Sequence, residues 1–277
     1  MSRGDRVVAG GNLSLSMRAN YGEHGVDEYY KKVGATYRNP LYPGVRLCLF
    51  AWLSRWWQNE KGHLTSVDAR DSILLFDLAC GYGEVTVAFT EWWKLGKDLH
   101  RQETSQDRNE NQRTPKSLNP QRKNTTPLIP LGQEFPSPIV MAADPYTSEA
   151  FAERTGLACD MISFKDVAEG CLPCTVTDLS RQGGQADRED MEIEMVVCSF
   201  ALHLIESSSE LFALLWQLST RARWLVVIAP HKKPEIKEGW GWTKWNVDTW
   251  SPSQASESKG ELLHDRVHCR VYKSLNV

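Results

Sequence analysis

The segment Ile73–Val85, ILLFDLACGYGEV, is the feature that most constrains the fold of this chain. The apolar run Ile73–Phe76 is continuous, as in a strand that is covered on both faces. An acidic residue, Asp77, ends the run, and Gly81 and Gly83 follow shortly after it. Glycine lets a ligand approach the backbone closely, and the N-terminus of a following helix favours an anionic group. The segment therefore predicts a buried strand, a ligand-binding loop and then a helix.

Strands and helices are predicted to alternate along the rest of the chain. Further apolar runs predict strands at Ile139–Ala142, Met195–Cys198 and Leu225–Ala229, and CDMISFKDV predicts a shorter one ending near Asp166. Helical patterns follow at Val85–Leu95, Thr147–Thr155 and Glu210–Thr220. The C-terminal DRVHCRVYKSLNV alternates, which predicts an antiparallel edge strand. This order predicts an α/β fold, a Rossmann-like three-layer sandwich around a mostly parallel sheet.

Polar side chains collect at the predicted carboxyl ends of the parallel strands. These residues are Asp77, Asp144, Asp166 and the segment Ser199–His203. In open parallel sheets, ligands bind beyond the carboxyl ends of the strands, beside the point where the strand order reverses. We therefore expect these side chains to contribute to one ligand site.

The loop after the first strand resembles the first motif of class I S-adenosylmethionine-dependent methyltransferases, an acidic residue followed by G-x-G-x-G. Here it reads Asp77-Leu78-Ala79-Cys80-Gly81-Tyr82-Gly83, with Ala79 in place of the first glycine. The dinucleotide pattern would need a third glycine where Thr86 stands, which disfavours a nicotinamide or flavin site. The resemblance covers roughly residues 70–230. It implies a seven-stranded sheet with an antiparallel C-terminal strand, and S-adenosyl-L-methionine as the cofactor.

The resemblance also implies roles for residues after the first two strands. The loop residues that would hold the methionine part of the cofactor are Asp77, Ala79, Gly81 and Gly83. Asp144 corresponds to the acidic residue that accepts hydrogen bonds from both ribose hydroxyls, a role that suits an acceptor-only carboxylate. Tyr146 would then pack against the adenine.

Residues after the third and fourth strands receive roles in the same way. Asp166 corresponds to an acidic residue that faces the adenine amino group. CSFALHLIE resembles the segment that lines the methyl-transfer site of small-molecule methyltransferases, with Ser199 and Phe200 as cofactor contacts. It lacks the Asn-Pro-Pro-aromatic signature of enzymes that methylate exocyclic amines of bases or glutamine. His203 is the candidate general base, because imidazole titrates near neutral pH; a histidine on an exposed helical turn is the alternative.

Three further groups of residues each have two interpretations. His231 is expected near the mouth of the site, and Lys232 and Lys233 would either bind an anionic substrate or lie in a solvated loop. An aromatic wall for a substrate, or a hydrophobic plug, would be formed by Trp240, Trp242, Trp245 and Trp250. We expect either a lid over the cofactor or a simple packing role for the N-terminal residues Tyr29, Tyr30, Tyr37 and Arg38.

The chain divides into a tail, a cap and one large domain. We expect residues 1–20 to be a disordered tail and 21–68 a helical N-terminal cap, with an amphipathic helix from Val45 to Trp57. We expect residues 69–277 to form the methyltransferase domain that the resemblance implies. A polar tract at about 96–134 has almost no apolar side chains, so burial cannot offset the entropy of ordering it. We interpret it as a disordered insertion.

Composition limits the compartment and the partners. The net charge of −3 gives no overall attraction to nucleic acid, although a local basic patch is an alternative at Arg113, Lys116, Arg122 and Lys123. No apolar run reaches the length of a transmembrane helix. The seven cysteines, without a signal peptide, indicate reduced thiols in the cytoplasm or the nucleus. The CLPC pair has no second pair, so we expect no metal site.

These observations predict methyl transfer from S-adenosylmethionine to an oxygen or nitrogen of a small molecule, with no membrane partner and with nucleic acid disfavoured as a partner. Three alternatives stay open. The first is a protein or RNA methyltransferase. The second is a non-catalytic scaffold subunit that keeps the fold, and the third is a nucleotide-dependent oxidoreductase.

Overall fold

A computed structural model of the chain describes residues 28, 36, 38–65, 72–110, 128–173 and 192–277. Several predictions concern residues outside these ranges. They are the N-terminal tail, Tyr29, Tyr30 and Tyr37, the basic patch at 113–123, and Cys174 of the CLPC pair.

The N-terminal helix, α1, runs from Tyr42 to Leu64 and is longer at both ends than the predicted Val45–Trp57. Proline in its first turn suits the helix start, where a backbone N–H has no intrahelical partner. Every residue from Cys48 to Ser54 is buried, so α1 is covered on all sides over this stretch. The helix is therefore part of the core.

The described residues form one eight-stranded sheet in the order β2-β1-β3-β4-β8-β5-β6, with β7 paired to β8. The strands are β1 Ser72–Leu78, β2 Ser137–Ala143, β3 Ile193–Ser199, β4 Ala222–Ala229, β5 Trp242–Asn246, β6 Ser251–Pro252, β7 Leu262–His264 and β8 Val267–Ser274. The pairs β1–β2, β1–β3 and β3–β4 are parallel, and the pairs that involve β5 to β8 are antiparallel. This confirms the predicted fold class, with eight strands where seven were expected.

Helices cover both faces of the sheet. They are α2 Glu84–Glu110, α3 Ser148–Thr155, α4 Phe164–Ala168 and α5 Ser208–Ser219, and a 3₁₀ turn spans Leu202–Leu204. Alternate residues of a strand belong to different hydrophobic clusters. Leu75 packs with α1 and α2, whereas Phe76 packs with α4 and α5. This is the three-layer arrangement that the alternation of strands and helices predicts.

The predicted third strand ending near Asp166 is wrong. Only Asp160 pairs with the sheet, through an isolated parallel bridge to Ala143. Residues 164–168 are the helix α4, because Ser163 and Asp166 form a capping box at its start. The local hydrogen bonds of that box favour a helix where the apolar pattern indicated a strand.

The predicted edge position of the C-terminal strand is also wrong. β8 lies between β4 and β5 and pairs with both. Six of its eight residues are buried, as expected of a strand with a neighbour on each side.

The polar tract is shorter than predicted. α2 continues to Glu110, since residues 96–110 are polar but rich in good helix formers. At the far end, Leu131 is fully buried and its N–H donates to the Gly96 carbonyl at 2.9 Å. The expectation of disorder is therefore wrong for 96–110 and 128–134, and the residues between them lie outside the described ranges.

Candidate functional site

Asp77 links the end of β1 to the start of α2. Its Oδ2 accepts hydrogen bonds from the Thr86 N–H at 3.1 Å and the Thr86 hydroxyl at 2.7 Å. Its Oδ1 is buried and has no hydrogen-bond partner among the described residues. Burial raises the pKa of Asp77 to about 8. The carboxyl group therefore keeps its proton at neutral pH unless a cationic group lies beside it.

The loop Ala79–Gly83, which the sequence predicts to contact a cofactor and which we therefore call the cofactor loop, has positive φ at alternate residues: 56° at Ala79, 55° at Gly81 and 79° at Gly83. A Cβ on Gly83 would lie 2.8 Å from Cγ2 of Thr155, so this glycine allows the loop to pack against α3. A Cβ on Gly81 would have no atom closer than 3.6 Å. That distance, to Oε2 of Glu84, is an ordinary van der Waals contact, so Gly81 is required by its positive φ rather than by crowding.

Asp144, at the end of β2, contacts this loop directly. Its Oδ2 accepts a hydrogen bond from the Gly81 N–H at 3.2 Å, and its Oδ1 accepts from the N–H groups of Tyr146 and Thr147 at 2.8 and 3.1 Å. The carboxylate is buried and its orientation is fixed by these donors. The structure therefore brings together the loop after β1 and the acidic residue after β2, as the sequence predicted. Tyr146 is half-buried next to them.

Asp166 does not join this group. Its Oδ2 accepts hydrogen bonds from the N–H and the hydroxyl of Ser163 at 2.8 and 2.6 Å, and these bonds lower its pKa. Its role is to cap α4. The acidic residue whose backbone lies beside Asp144 is Asp160. Its N–H donates to the Ala142 carbonyl and its backbone carbonyl accepts from the Asp144 N–H, both at 3.0 Å. Sequence analysis missed Asp160; the S-x-x-D capping box was the signal that could have excluded Asp166.

The end of β3 carries the third predicted group. Phe200 has a φ of 59°, and its N–H donates to the Ile228 carbonyl on β4 at 2.8 Å. The Ser199 hydroxyl is buried without a hydrogen-bond partner in the described part of the chain. These residues lie at the carboxyl edge of the sheet, as Asp77 and Asp144 do.

His203 lies in the 3₁₀ turn and contacts His231, which follows β4. The ring centroids are 4.8 Å apart and the rings are nearly perpendicular, at 88°. Burial, and secondarily the neighbouring His231, lower the pKa of His203 to about 4. Its imidazole is therefore neutral at physiological pH. This corrects the expectation of a base that titrates near neutral pH, because the buried ring holds a proton only weakly.

Two arginines contact the ring of Tyr82 in the cofactor loop. The guanidinium carbon of Arg38 lies 3.2 Å from the ring centroid and that of Arg154 lies 4.4 Å from it. Arg154 also donates a hydrogen bond to the Tyr82 carbonyl at 3.0 Å. The loop is therefore held from two sides, by the segment that precedes α1 and by α3. The sequence analysis did not single out Tyr82 or Arg154.

The predicted tryptophan cluster divides into two parts. Trp245 and Trp250 pack with Trp52 and Trp224, with centroids 5.3 to 6.3 Å apart. Trp52 and Trp224 are fully buried and Trp245 and Trp250 pack against the same core cluster, so this group fits the interpretation as a hydrophobic plug. Trp242 instead donates a hydrogen bond to the Leu215 carbonyl.

One of the predicted anion-binding lysines, Lys232, makes polar contacts within the chain. Lys232 donates a hydrogen bond to Ser258 and lies 3.9 Å from Glu261. Within the described ranges, no three residues of the metal-ligating types are grouped so that they could hold an ion. In the same ranges, no helix has the length and apolar character needed to cross a membrane.

The chain is similar in sequence to a protein from another organism. A protein of Schizosaccharomyces pombe (strain 972 / ATCC 24843), named only as uncharacterized, is 38% identical over 266 residues, which is 96% of this chain and 95% of the relative. No protein-family model matches the chain. Among solved structures, the magnesium protoporphyrin IX methyltransferase of Synechocystis PCC 6803, with bound SAM, aligns over 95% of this chain and 98% of its own, at 13% identity and a TM-score of 0.38.

Proposed function

The chain belongs to the same family as the fission-yeast protein, and from the geometry of its site we propose that it is an S-adenosyl-L-methionine-dependent methyltransferase. The observation that carries the proposal is the 3.2 Å hydrogen bond from the Gly81 N–H to Asp144 Oδ2. It joins a loop with positive φ at alternate residues to a buried carboxylate at the end of the neighbouring strand. The loop and the carboxylate together suit a ligand that has a small polar group at one end and a ribose beside it.

The charges of the site fit this cofactor. S-adenosylmethionine carries two cationic groups, a sulfonium and an ammonium. Three acidic residues lie near the loop: Asp77 near the end of β1, Asp144 directly after β2, and Asp160 in the bridge to Ala143. The unpartnered Oδ1 of Asp77 would gain a partner from a cationic group, which would also favour the ionised carboxylate. Asp77, Ala79, Gly81 and Gly83 would hold the methionine part of the cofactor.

Asp144 would hold the ribose. A carboxylate offers about four acceptor positions, and three backbone N–H groups already use Asp144. One ribose hydroxyl can therefore donate to it directly. A second hydroxyl would replace the Gly81 N–H, the longest of the three bonds, which would release the loop backbone toward the cofactor. Tyr146 and Asp160 would border the adenine.

The acceptor would bind near Ser199, Phe200 and His203. The bound cofactor supplies an electrophilic methyl group, and the protein aligns the nucleophile and excludes water; positioning of this kind contributes about 7–11 kcal/mol. Because His203 is a weak base, it suits an acceptor that attacks through a free lone pair or ionises readily. We therefore propose a small-molecule substrate, with a nitrogen nucleophile favoured over an alcohol.

Calorimetric titration with S-adenosylmethionine and S-adenosylhomocysteine tests the proposal. We expect the wild type to bind both ligands and Asp144→Ala to bind neither. Asp160→Asn should weaken binding, whereas Asp166→Asn, the matched control, should leave the affinity unchanged because it affects only the cap of α4. No binding by the wild type would overturn the proposal. Binding without turnover over a broad acceptor screen would instead favour a non-catalytic subunit.

A further inference from the structure

We propose that Cys80 and Cys159 are a thiol-oxidation site whose reversible disulfide switches the cofactor loop between two forms. The two sulfur atoms lie 3.4 Å apart although the residues are separated by 79 positions in the chain. Cys80 belongs to the cofactor loop, and Cys159 immediately precedes Asp160. The consequence for cofactor binding rests on the proposed function, whereas formation of the disulfide does not.

The backbone holds the two cysteines in place. The Cys80 N–H donates to the Ala143 carbonyl at 3.1 Å, and the Asp160 N–H donates to the Ala142 carbonyl at 3.0 Å. Both thiols are thus anchored to the end of β2, one on each side of it. Phe151 and Ala142 pack around the pair. Little chain entropy remains to be lost when the sulfur atoms approach each other.

The two thiols differ in their exposure to solvent, and this difference decides which of them reacts first with an oxidant. Cys80 is 4% exposed, whereas Cys159 is half-buried and reachable from solvent. Burial raises the pKa of the Cys80 thiol, which makes it the poorer first nucleophile. Cys159 is therefore the residue that an external oxidant meets first.

Glutathione disulfide is a sufficient oxidant. The Cys159 thiolate attacks one glutathione sulfur, the S–S bond of glutathione disulfide breaks, and one glutathione thiolate leaves. The Cys80 thiol then loses its proton and attacks the Cys159 sulfur, which releases the second glutathione. The two cysteines lose two electrons in total, and two molecules of glutathione are formed.

The disulfide alters the cofactor loop because the sulfur atoms must move closer. An S–S bond is about 2.05 Å long, so the present separation must shrink by about 1.4 Å. Gly81 follows Cys80 directly and donates to Asp144, so a shift of Cys80 displaces this hydrogen bond. Displacements of about 1 Å in a binding site are costly, and we expect the affinity for S-adenosylmethionine to fall at least tenfold.

Equilibration of the full chain in glutathione redox buffers tests the proposal. Mass spectrometry should find a Cys80–Cys159 linked peptide in the oxidised wild type, and dithiothreitol should remove it. Hydrogen exchange of the peptide that contains Gly81 and Gly83 should change with oxidation, and the calorimetric affinity for S-adenosylmethionine should fall at least about tenfold and recover on reduction.

Variants separate this pair from the other thiols. Cys159→Ser and Cys80→Ala should each abolish the response to oxidation, and Cys171→Ser, an exposed control, should retain it. Absence of the linked peptide, or unchanged exchange and affinity when it forms, would overturn the inference. If the reduced wild type fails to bind the cofactor, the proposed function fails, while the linked peptide and the exchange of the loop still decide the thiol site.

Discussion

The guanidinium carbon of Arg38 lies 3.2 Å from the centroid of the Tyr82 ring, so the segment before α1 contacts the cofactor loop. A cation–π contact of this kind contributes roughly 0.5–2 kcal/mol, depending on its exposure to solvent.

We expect Arg38→Ala to weaken S-adenosylmethionine binding about threefold to thirtyfold, because the loop loses one of its two supports. Calorimetry measures the change. Arg101→Ala is the control, since Arg101 is an exposed residue that pairs with Asp98 on the same helix, α2, and its affinity should match the wild type. Equal affinities for Arg38→Ala and the wild type would show that this contact does not support the site.

Asp77 should make the free energy of unfolding depend on pH. Its pKa rises from 3.8 to about 8 on folding, so between these values the folded protein binds more protons than the unfolded chain. The stability that Asp77 contributes is full below pH 3.8 and is lost as the pH rises toward about 8, by at most about 1.4 kcal/mol per pH unit. Asp77→Asn cannot ionise, so its stability relative to the wild type should increase from about pH 5 to about pH 8. Urea unfolding of both proteins at the two pH values measures this, and a constant difference would contradict the assignment.

His203 should remain neutral well below the pH at which imidazole ordinarily titrates. Burial lowers its pKa from 6.5 to about 4, so its ring signals in an NMR titration should still report the neutral form at about pH 5.5. His231→Ala should raise the pKa of His203, because it removes a neighbouring ring and admits water. A midpoint near 6.5 in the wild type would show that the ring is solvated and would restore His203 as a base for alcohols.

Arg223 should stabilise the edge of the sheet opposite the site. It lies 3.0 Å from Glu60 and 3.9 Å from Glu194, and both carboxylates are buried. Arg223→Met leaves these charges unpaired and should cost about 3–5 kcal/mol in the free energy of unfolding.

The matched control for this change is Arg55→Met, which breaks a more exposed pair with Asp248 and should cost less than about 1 kcal/mol. Burial raises the pKa of Glu194 to about 7. The cost of Arg223→Met should therefore be smaller at about pH 5, where Glu194 takes up a proton, than at about pH 8. Equal costs at both pH values, measured by urea unfolding, would show that Glu194 is not the charge that Arg223 offsets.

The central parallel strands could be predicted from the sequence because their signal is local. The runs Ile73–Phe76 and Met195–Cys198 lie inside β1 and β3, and the residues that end them lie at one edge of the sheet. The acidic residue after the missing third strand could not be identified in the same way. Its strand is reduced to one bridge at Asp160, which depends on a partner in β2, while Asp166 obeys a local capping signal.

Properties that depend on tertiary contacts could not be predicted from the sequence. The neutral state of His203 follows from its burial, and the proximity of Cys80 and Cys159 follows from two loops that meet at β2. No periodicity or motif encodes either of these. The position of β8 was missed for a related reason: its pattern of alternation indicates a strand but not which strands lie beside it.

The position of β8 affects how this protein folds during synthesis. β4 pairs with Val267–Ser274, and β5 pairs with the same strand from its other side, so neither acquires this partner until residue 274 has left the ribosome. Until then β4 presents an open, hydrophobic edge, the kind of surface that pairs with other chains. Completion of the sheet therefore has to wait for the synthesis of β8, and the interval between the synthesis of β4 and that of β8 is the period of greatest exposure to aggregation and to chaperones.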